Sequence, residues 1–323
     1  MKIKKEEVIG KFIGTNKNIL KNILKSDNPQ KNLQEYYNEL ENININILIK
    51  KALEEKETEK ADADKIRTAL VVIDNQNSFH PDGELGIEGA NEDTKRLLDF
   101  IWNNMEKITK IYPTLDTHNI FHIFMSTWWI DKDGNNPEPF TVITEEDVEN
   151  KKWIPLYYKE DSIKCVKALK NPLIIWPYHT EDGTEGYAME RNFANIIYFH
   201  GALRKTDIGF FRKGLSKTTE RYGAFKPEYN PADEIEKDLI EELGNYDKII
   251  FAGQAKSHCV LKTIKQFAEA FEYKEEMMKK IFVLEDCMSI IPGFEDITEK
   301  TFEMFKEKGI NMIKSREDIK RGV

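Results

Sequence analysis

The chain has 323 residues, of which 40% are hydrophobic and 33% are charged, a composition typical of a globular protein rather than a disordered one. A formal net charge of -9 argues against a general affinity for nucleic acid or acidic membranes. No apolar run reaches the roughly 18 residues of a membrane span, and no signal-peptide core follows the Lys-rich start. We therefore expect a cytoplasmic protein with neither nucleic-acid nor membrane partners.

Residues 1–67 are rich in Lys, Glu and Asn and read as a helical extension. Two groups of apolar residues recur at helical spacing; they are Ile19, Leu20, Ile23 and Leu24, and Leu40, Ile43, Ile47 and Leu48. The Asn-Ile alternation over residues 42–47 also fits a strand. We expect this extension to pack on the main domain or on a partner subunit, with a regulatory or targeting role as the alternative.

Residues 68–323 alternate short apolar runs with amphipathic segments. The runs that predict strands are 69–73, 108–115, 208–212, 248–252, 281–284 and 310–313. The segments that predict helices include 93–107, 257–271 and 298–308. This alternation predicts an α/β fold, a doubly wound and mostly parallel sheet of about six strands with helices on both faces. The stretch at 127–175 reads as an ordered insertion over a pocket.

Three polar residues follow predicted strands, where a parallel sheet places its chemistry. Asp74 directly follows the first run, Lys213 follows the third, and Cys259 lies between a strand and an amphipathic helix. A thiol near a helix N-terminus has a lowered pKa and acts as a nucleophile. The plainer alternatives are a capping Asp, a solvated Lys and a buried structural Cys, and the last of these fits Cys165 and Cys287.

A cluster of metal-ligand side chains occurs in the segment LDTHNIFH, which contains Asp116, His118 and His122. Asp-x-His places two ligands on one side of an extended segment, and a distant His179 can complete a set that leaves positions for water or substrate. Nitrogen and oxygen ligands suit zinc, iron or manganese, and zinc is our first choice. Isolated histidines are more often core or surface residues, which is the alternative for each of them.

Taken together, the motifs resemble the nicotinamidase branch of the isochorismatase-like cysteine hydrolase superfamily. The matching pieces are VVIDNQNSF, LDTHNIFH, WPYH, RKG followed by RYGAF, AGQAKSHCV and VLED, in the family's order. The resemblance spans about residues 68–315, whereas the extension and the insertion at 127–175 depart from it. It implies hydrolysis of nicotinamide to nicotinic acid and ammonia through a cysteine thioester, as part of NAD metabolism.

The resemblance also assigns roles to residues of this chain. It implies the catalytic residues Asp74, Lys213 and Cys259, and an oxyanion hole from the amides of Ala255 and Cys259. It implies the metal ligands Asp116, His118 and His179, with His122 as an optional fourth, and the substrate-pocket residues Phe79, Trp176, Tyr222 and His258. Enzymes of the superfamily have a non-proline cis peptide that would fall here between Gln254 and Ala255.

Some positions depart from the nicotinamidase pattern and keep other functions open. Lys256 and Ser257 replace the usual Thr and Asp, and Thr180 replaces a frequent Cys. We expect a metal-dependent amidohydrolase acting on a small-molecule amide as a homo-oligomer. The alternatives are a related cysteine hydrolase acting on another small amide or carbamoyl compound, and a non-catalytic binding scaffold.

Overall fold

The computed structural model describes Lys5, residues 44–317 and Ile319. The predicted helix around residues 19–24 lies outside these residues. Among the residues described, no helix is both long enough and apolar enough to cross a membrane.

The described strands fall into one large sheet and two small ones. In chain order they are β1 (Thr68–Ile73), β2 (Lys110–Asp116), β3 (Trp129–Ile130), β4 (Val142–Ile143), β5 (Ile154–Pro155), β6 (Leu173–Ile174), β7 (Phe211–Lys213), β8 (Lys248–Gly253), β9 (Ile281–Leu284) and β10 (Asn311–Ile313).

The described helices lie between these strands or precede them. They are α1 (Ile45–Glu54), α2 (Ala90–Asn103), α3 (Glu145–Glu149), α4 (Lys159–Ala168), α5 (Arg191–Arg204), α6 (Lys237–Gly244), α7 (Leu261–Ala270), α8 (Glu275–Met278) and α9 (Glu295–Glu307). A π-helical turn, Lys256–Val260, leads into α7.

The main sheet has six strands in the order β10-β9-β8-β1-β2-β7, and all its neighbouring strands are parallel. Both faces of β1 are buried, as a central parallel strand requires. Val71 packs with α6, α7 and α9 on one face, whereas Leu70 and Val72 pack with α1, α2 and α5 on the other. The predicted fold, a doubly wound parallel sheet, is therefore confirmed.

Several elements differ in detail from the sequence prediction. The strand predicted at 208–212 begins later, at Phe211, and the helix predicted at 257–271 is divided into the π-helical turn and α7. The strand alternative for 42–47 is wrong where the residues are described, because α1 begins at Ile45. Leu48 and Ala52, one turn apart on α1, are buried in the same cluster as α5.

The insertion at 127–175 is ordered and has a core of its own. It contains the antiparallel pairs β3–β5 and β4–β6, together with α3 and α4. A capping box between Thr144 and Asp147 begins α3. Trp128, Trp129 and Trp176 are buried in a single cluster with the apolar residues of these elements. The insertion therefore contributes a packed layer beside the carboxyl ends of the main sheet.

Candidate active site

The carboxyl ends of four adjacent strands bring the candidate catalytic residues together. Asp74 directly follows β1, Lys213 ends β7, and Cys259 lies in the turn after β8. The carboxylate oxygens of Asp74 and Asp116 and the sulfur of Cys259 all lie within 4.8 Å of one another. Because these residues come from segments far apart in sequence, the sheet topology is what assembles the cluster.

Lys213 is at the centre of this cluster and is almost completely buried. Its Nζ lies 2.9 Å from Asp74 Oδ2 and 2.9 Å from Asp116 Oδ1, and 3.5 Å from Cys259 Sγ. Burial alone would lower the pKa of Lys213, but the two carboxylates hold it well above its ordinary value. The side chain is therefore a fixed positive charge between two acids and a thiol.

Asp74 is oriented by the neighbouring strand. Thr114 Oγ1 donates to Asp74 Oδ1 at 2.5 Å, and the backbone N–H of Asp74 donates to the same hydroxyl at 3.1 Å. The backbone of Asp74 has φ 45°, in the left-handed region that side chains rarely adopt. Burial raises the pKa of Asp74 despite the opposing charge of Lys213. A carboxylate with a raised pKa suits proton transfer near neutral pH.

The thiol of Cys259 differs electrostatically from the sequence expectation. We predicted a pKa lowered by a helix N-terminus, but Cys259 is buried within the π-helical turn that precedes α7. Burial raises its pKa well above the ordinary value, and Lys213 opposes the shift only in part. The predicted lowering is therefore wrong. A thiol in such an environment would need a neighbouring base to act as a nucleophile.

A second group of buried ligands lies beside Lys213. Candidate ligand atoms of Asp116, His118 and His179 lie within 4.8 Å of one another, with His118 Nε2 at 3.1 Å and His179 Nε2 at 3.9 Å from Asp116 Oδ2. The opposite nitrogen of His179 donates to the carbonyl of Pro177 at 2.7 Å, an arrangement common in metal-binding histidines. The donor set fits a divalent transition metal.

The optional fourth ligand, His122, stands apart from this group. Its ring centroid is 5.3 Å from that of His118, and its Nδ1 accepts the backbone N–H of Asn119 at 3.0 Å. Its Nε2 is buried without a hydrogen-bond partner. The side chain belongs to the site, but the described geometry groups only the other three ligands.

Aromatic side chains form a wall close to Cys259. The rings of Trp176, Tyr222 and His258 contact one another, with centroid distances of 5.3–6.4 Å. Phe79 lies elsewhere in the site, where it packs edge-on to His179 at 5.6 Å and in a cluster with Ala255. The structure thus brings three of the four predicted pocket residues into direct contact, and the fourth meets the metal-ligand group.

Ala255 and Cys259, the predicted oxyanion donors, lie in the segment that connects β8 to α7. The carbonyl of Ala255 accepts the N–H groups of His258 at 3.1 Å and Val260 at 3.2 Å. The Gln254–Ala255 peptide is cis, as the resemblance predicted.

Two side chains of this site were missed by sequence reasoning. Glu220 is buried, its Oε2 accepts from Trp176 Nε1 at 3.2 Å, and burial raises its pKa to about 7. Phe294 stacks edge-on against His258, with centroids 4.5 Å apart. Glu220 lies between Lys213 and Tyr222 in sequence, but among 57 acidic residues nothing local distinguished it.

Solved structures of nicotinamidases align with the fold of this chain. The nicotinamidase/pyrazinamidase of Acinetobacter baumanii aligns with a TM-score of 0.52 and 20% identity over 77% of this chain and 96% of that one. The yeast nicotinamidase bound to the inhibitor nicotinaldehyde aligns with a TM-score of 0.55 and 22% identity over 76% and 99%. No family model and no curated protein matches the chain. The chain therefore shares its fold with these nicotinamidases.

Proposed function

We propose that this chain is a metal-dependent amidohydrolase that hydrolyses nicotinamide to nicotinic acid and ammonia through a thioester on Cys259. The observation that carries the proposal is the contact of Lys213 with Asp74, Asp116 and Cys259. It supports the proposal because a buried carboxylate and a thiol lie next to the Asp-His-His group. The shared fold with nicotinamidases supports the same activity.

The acylation half of the mechanism begins with a proton transfer. Asp74 takes the thiol proton of Cys259, and the sulfur attacks the amide carbon to form a carbon–sulfur bond. The backbone amides of Ala255 and Cys259 stabilise the resulting oxyanion. The carbon–nitrogen bond then breaks, and Asp74 returns the proton to the leaving nitrogen, which departs as ammonia.

The deacylation half uses the same residues in reverse. Asp74 takes a proton from water, the hydroxide oxygen attacks the thioester carbon, and the carbon–sulfur bond breaks. The proton on Asp74 then returns to the sulfur of Cys259, which restores the resting thiol. Lys213 keeps its charge throughout and offsets the negative charge that moves between the acid and the sulfur.

The metal site would be formed by Asp116, His118 and His179, with zinc as our first choice over iron or manganese. When bound there, a divalent metal supplies a Lewis acid that holds a ring nitrogen or a water molecule. Lys213 links this set to the nucleophile because it contacts Asp116 directly. The ring of nicotinamide would stack between Trp176, Tyr222 and His258.

A related activity on another small amide or carbamoyl compound is the second candidate. The insertion supports it, because Phe140 from this segment lies edge-on to Trp176 with centroids 6.1 Å apart. It therefore adds a side chain at the aromatic wall. The second candidate is also supported by three positions that depart from the nicotinamidase pattern, Thr180, Lys256 and Ser257.

The deciding experiment measures ammonia release from nicotinamide by the purified, metal-loaded chain, with nicotinic acid quantified in parallel. Cys259→Ala serves as the control for the thioester route. Equal amounts of ammonia and nicotinic acid would support the proposal. Ammonia from carbamoyl compounds alone would favour the second candidate, and no turnover of any amide by a folded, metal-loaded protein would favour a binding scaffold. Light scattering would test the proposed homo-oligomer.

A further inference from the structure

A buried carboxylate outside the catalytic group accepts three hydrogen bonds behind the nucleophile segment. Asp93 on α2 is 2% exposed. Its Oδ2 accepts from Gln254 Nε2 at 2.9 Å and from Ser289 Oγ at 2.5 Å, and its Oδ1 accepts from Arg96 Nη2 at 2.6 Å. Neither the catalytic nor the metal-binding role described above uses this carboxylate.

The partners of Asp93 hold the chain on both sides of Ala255. The side-chain carbonyl of Gln254 accepts the N–H of Ser289 at 3.2 Å, so both ends of its amide are fixed. The carbonyl of Ser289 in turn accepts the N–H of Lys256 at 2.8 Å. Asp93 therefore holds Gln254 directly, and it is connected to Lys256 through Ser289, which is half-buried.

Close packing against α2 keeps this arrangement compact. A Cβ at Gly89, just before α2, would lie 2.6 Å from Ser289 Oγ, so only glycine leaves this hydroxyl its place beside Asp93. The backbone N–H of Gln254 donates to the carbonyl of Ile73 at 2.8 Å, at the end of β1. Helix α2, β1 and the segment after β9 thus converge on Gln254.

We propose that Asp93 is a positioning residue that fixes, through Gln254 and Ser289, the segment bearing the Ala255 amide next to Cys259. The inference rests on the proposed amidohydrolase function. Oxyanion donors lower the barrier only when they are held in place before charge develops. A charged acceptor in a buried environment forms stronger hydrogen bonds than a neutral one. Asp93 provides this rigidity without contacting the substrate.

The main test is a double-mutant cycle between Asp93→Ala and Gln254→Leu. Losing one oxyanion donor costs about 100-fold to 1000-fold in kcat, so we expect each single variant to lose about 100-fold with KM within about threefold. If Asp93 acts through Gln254, the double variant is no slower than the slower single variant. In each variant, the rate at which iodoacetamide alkylates Cys259 should stay within about threefold of the wild-type rate, because the nucleophile itself is unchanged.

A matched control separates positioning from general stability. Asp64 is also a carboxylate that accepts from an arginine and a hydroxyl, Arg204 and Thr109. Thr109 directly precedes β2 and Arg204 ends α5, so neither partner belongs to the nucleophile segment. Asp64→Ala should lower the melting temperature but leave kcat within about twofold of the wild type. If Asp93→Ala fails to fold, Ser289→Ala is the second variant. It removes only the hydrogen bond from the Ser289 hydroxyl to Asp93, and because Ser289 is half-buried the fold should be retained. We expect kcat to fall about 10-fold.

The outcomes distinguish this inference from the function on which it rests. A wild-type protein with no amidase activity overturns both. Wild-type activity together with unchanged kcat in folded Asp93→Ala overturns only the positioning role. The positioning role is also rejected if the losses in kcat of the two single variants multiply in the double variant, because the two residues then act independently. It is rejected as well if Asp64→Ala loses as much kcat as Asp93→Ala, because the effect is then one of general destabilisation.

Discussion

Lys213 Nζ lies 2.9 Å from Asp116 Oδ1, so the last residue of β7 contacts the carboxylate that ends β2. The contact joins the two halves of the site, since Asp116 also faces the two histidines while Lys213 also faces the thiol. Burial would raise the pKa of Asp116, but the charges of His118 and Lys213 hold it below its ordinary value. The proposed nucleophile and metal site therefore share one electrostatic environment.

Removing the charge of Lys213 should damage both halves of the site. Lys213→Met leaves Asp74 and Asp116 buried close together without their counter-charge. We expect activity to be lost and the free energy of unfolding to fall by about 3–5 kcal/mol, measured by urea denaturation. Lys279→Met is the control, because Lys279 forms an exposed ion pair with Glu275 whose loss should leave stability and activity unchanged. Wild-type activity in Lys213→Met would contradict the proposed mechanism.

The nucleophile can be tested against the other two cysteines. Cys259→Ala should abolish turnover with the fold retained, whereas Cys165→Ala and Cys287→Ala should stay active. The latter two thiols are completely buried in the core, where burial raises the pKa of Cys165 to about 12. Circular dichroism checks the fold and ammonia release checks activity. Unchanged kinetics in Cys259→Ala would rule out the thioester.

Metal binding should depend on His118 but not on His122. Elemental analysis of the wild-type protein should find about one transition metal per chain. His118→Ala should lose it because one of three grouped ligands is gone. His122→Gln should keep it, because His122 lies outside the group of ligand atoms within 4.8 Å. Full metal loading of His118→Ala would contradict this ligand set.

The indole nitrogen of Trp176 should matter for binding a ring substrate. Its Nε1 donates to Glu220 Oε2 at 3.2 Å and to the Tyr222 hydroxyl at 3.3 Å. Trp176→Phe keeps an aromatic ring in the core but removes both bonds, so KM should rise about 10-fold while kcat changes little. Steady-state kinetics measure this separation. A melting temperature that falls sharply with no change in KM would show that the residue serves only the core.

Acid should destabilise the fold through His200, which lies away from the site. Burial lowers its pKa to about 4, against about 6.5 in the unfolded chain. Between these two pKa values the unfolded state therefore binds more protons than the folded state. The contribution of His200 to the free energy of unfolding is complete above about pH 6.5 and falls as the pH drops toward 4. The loss is about 3 kcal/mol over this window.

His200→Gln tests this contribution because an amide can still donate to the Ile108 carbonyl that His200 contacts at 2.9 Å. Urea denaturation at pH 7 and pH 4.5 should show about 2 kcal/mol less acid sensitivity in the variant than in the wild type. Equal sensitivity in the two proteins would show that His200 does not titrate on unfolding.

Periodicity predicted the central strands well because they are continuously apolar, but it did not reveal α5. Most residues of Arg191–Arg204 are buried, including polar Asn192 and Asn195, so the helix has no clear polar face for a pattern to expose. In the site, chain order predicted which side chains meet at the strand ends. It did not predict Glu220 or Asp93, because each becomes distinctive only through its burial and its partners from distant segments.

Trp176 belongs at once to the aromatic wall and to the core of the insertion. The shape of the pocket is therefore tied to how residues 127–175 pack among themselves. Substitutions inside that layer reach the pocket through Trp176 without contacting any ligand. In the proposed enzyme, mutations in the core of the insertion would therefore change substrate selectivity, while the acid, the lysine and the thiol keep their positions at the strand ends.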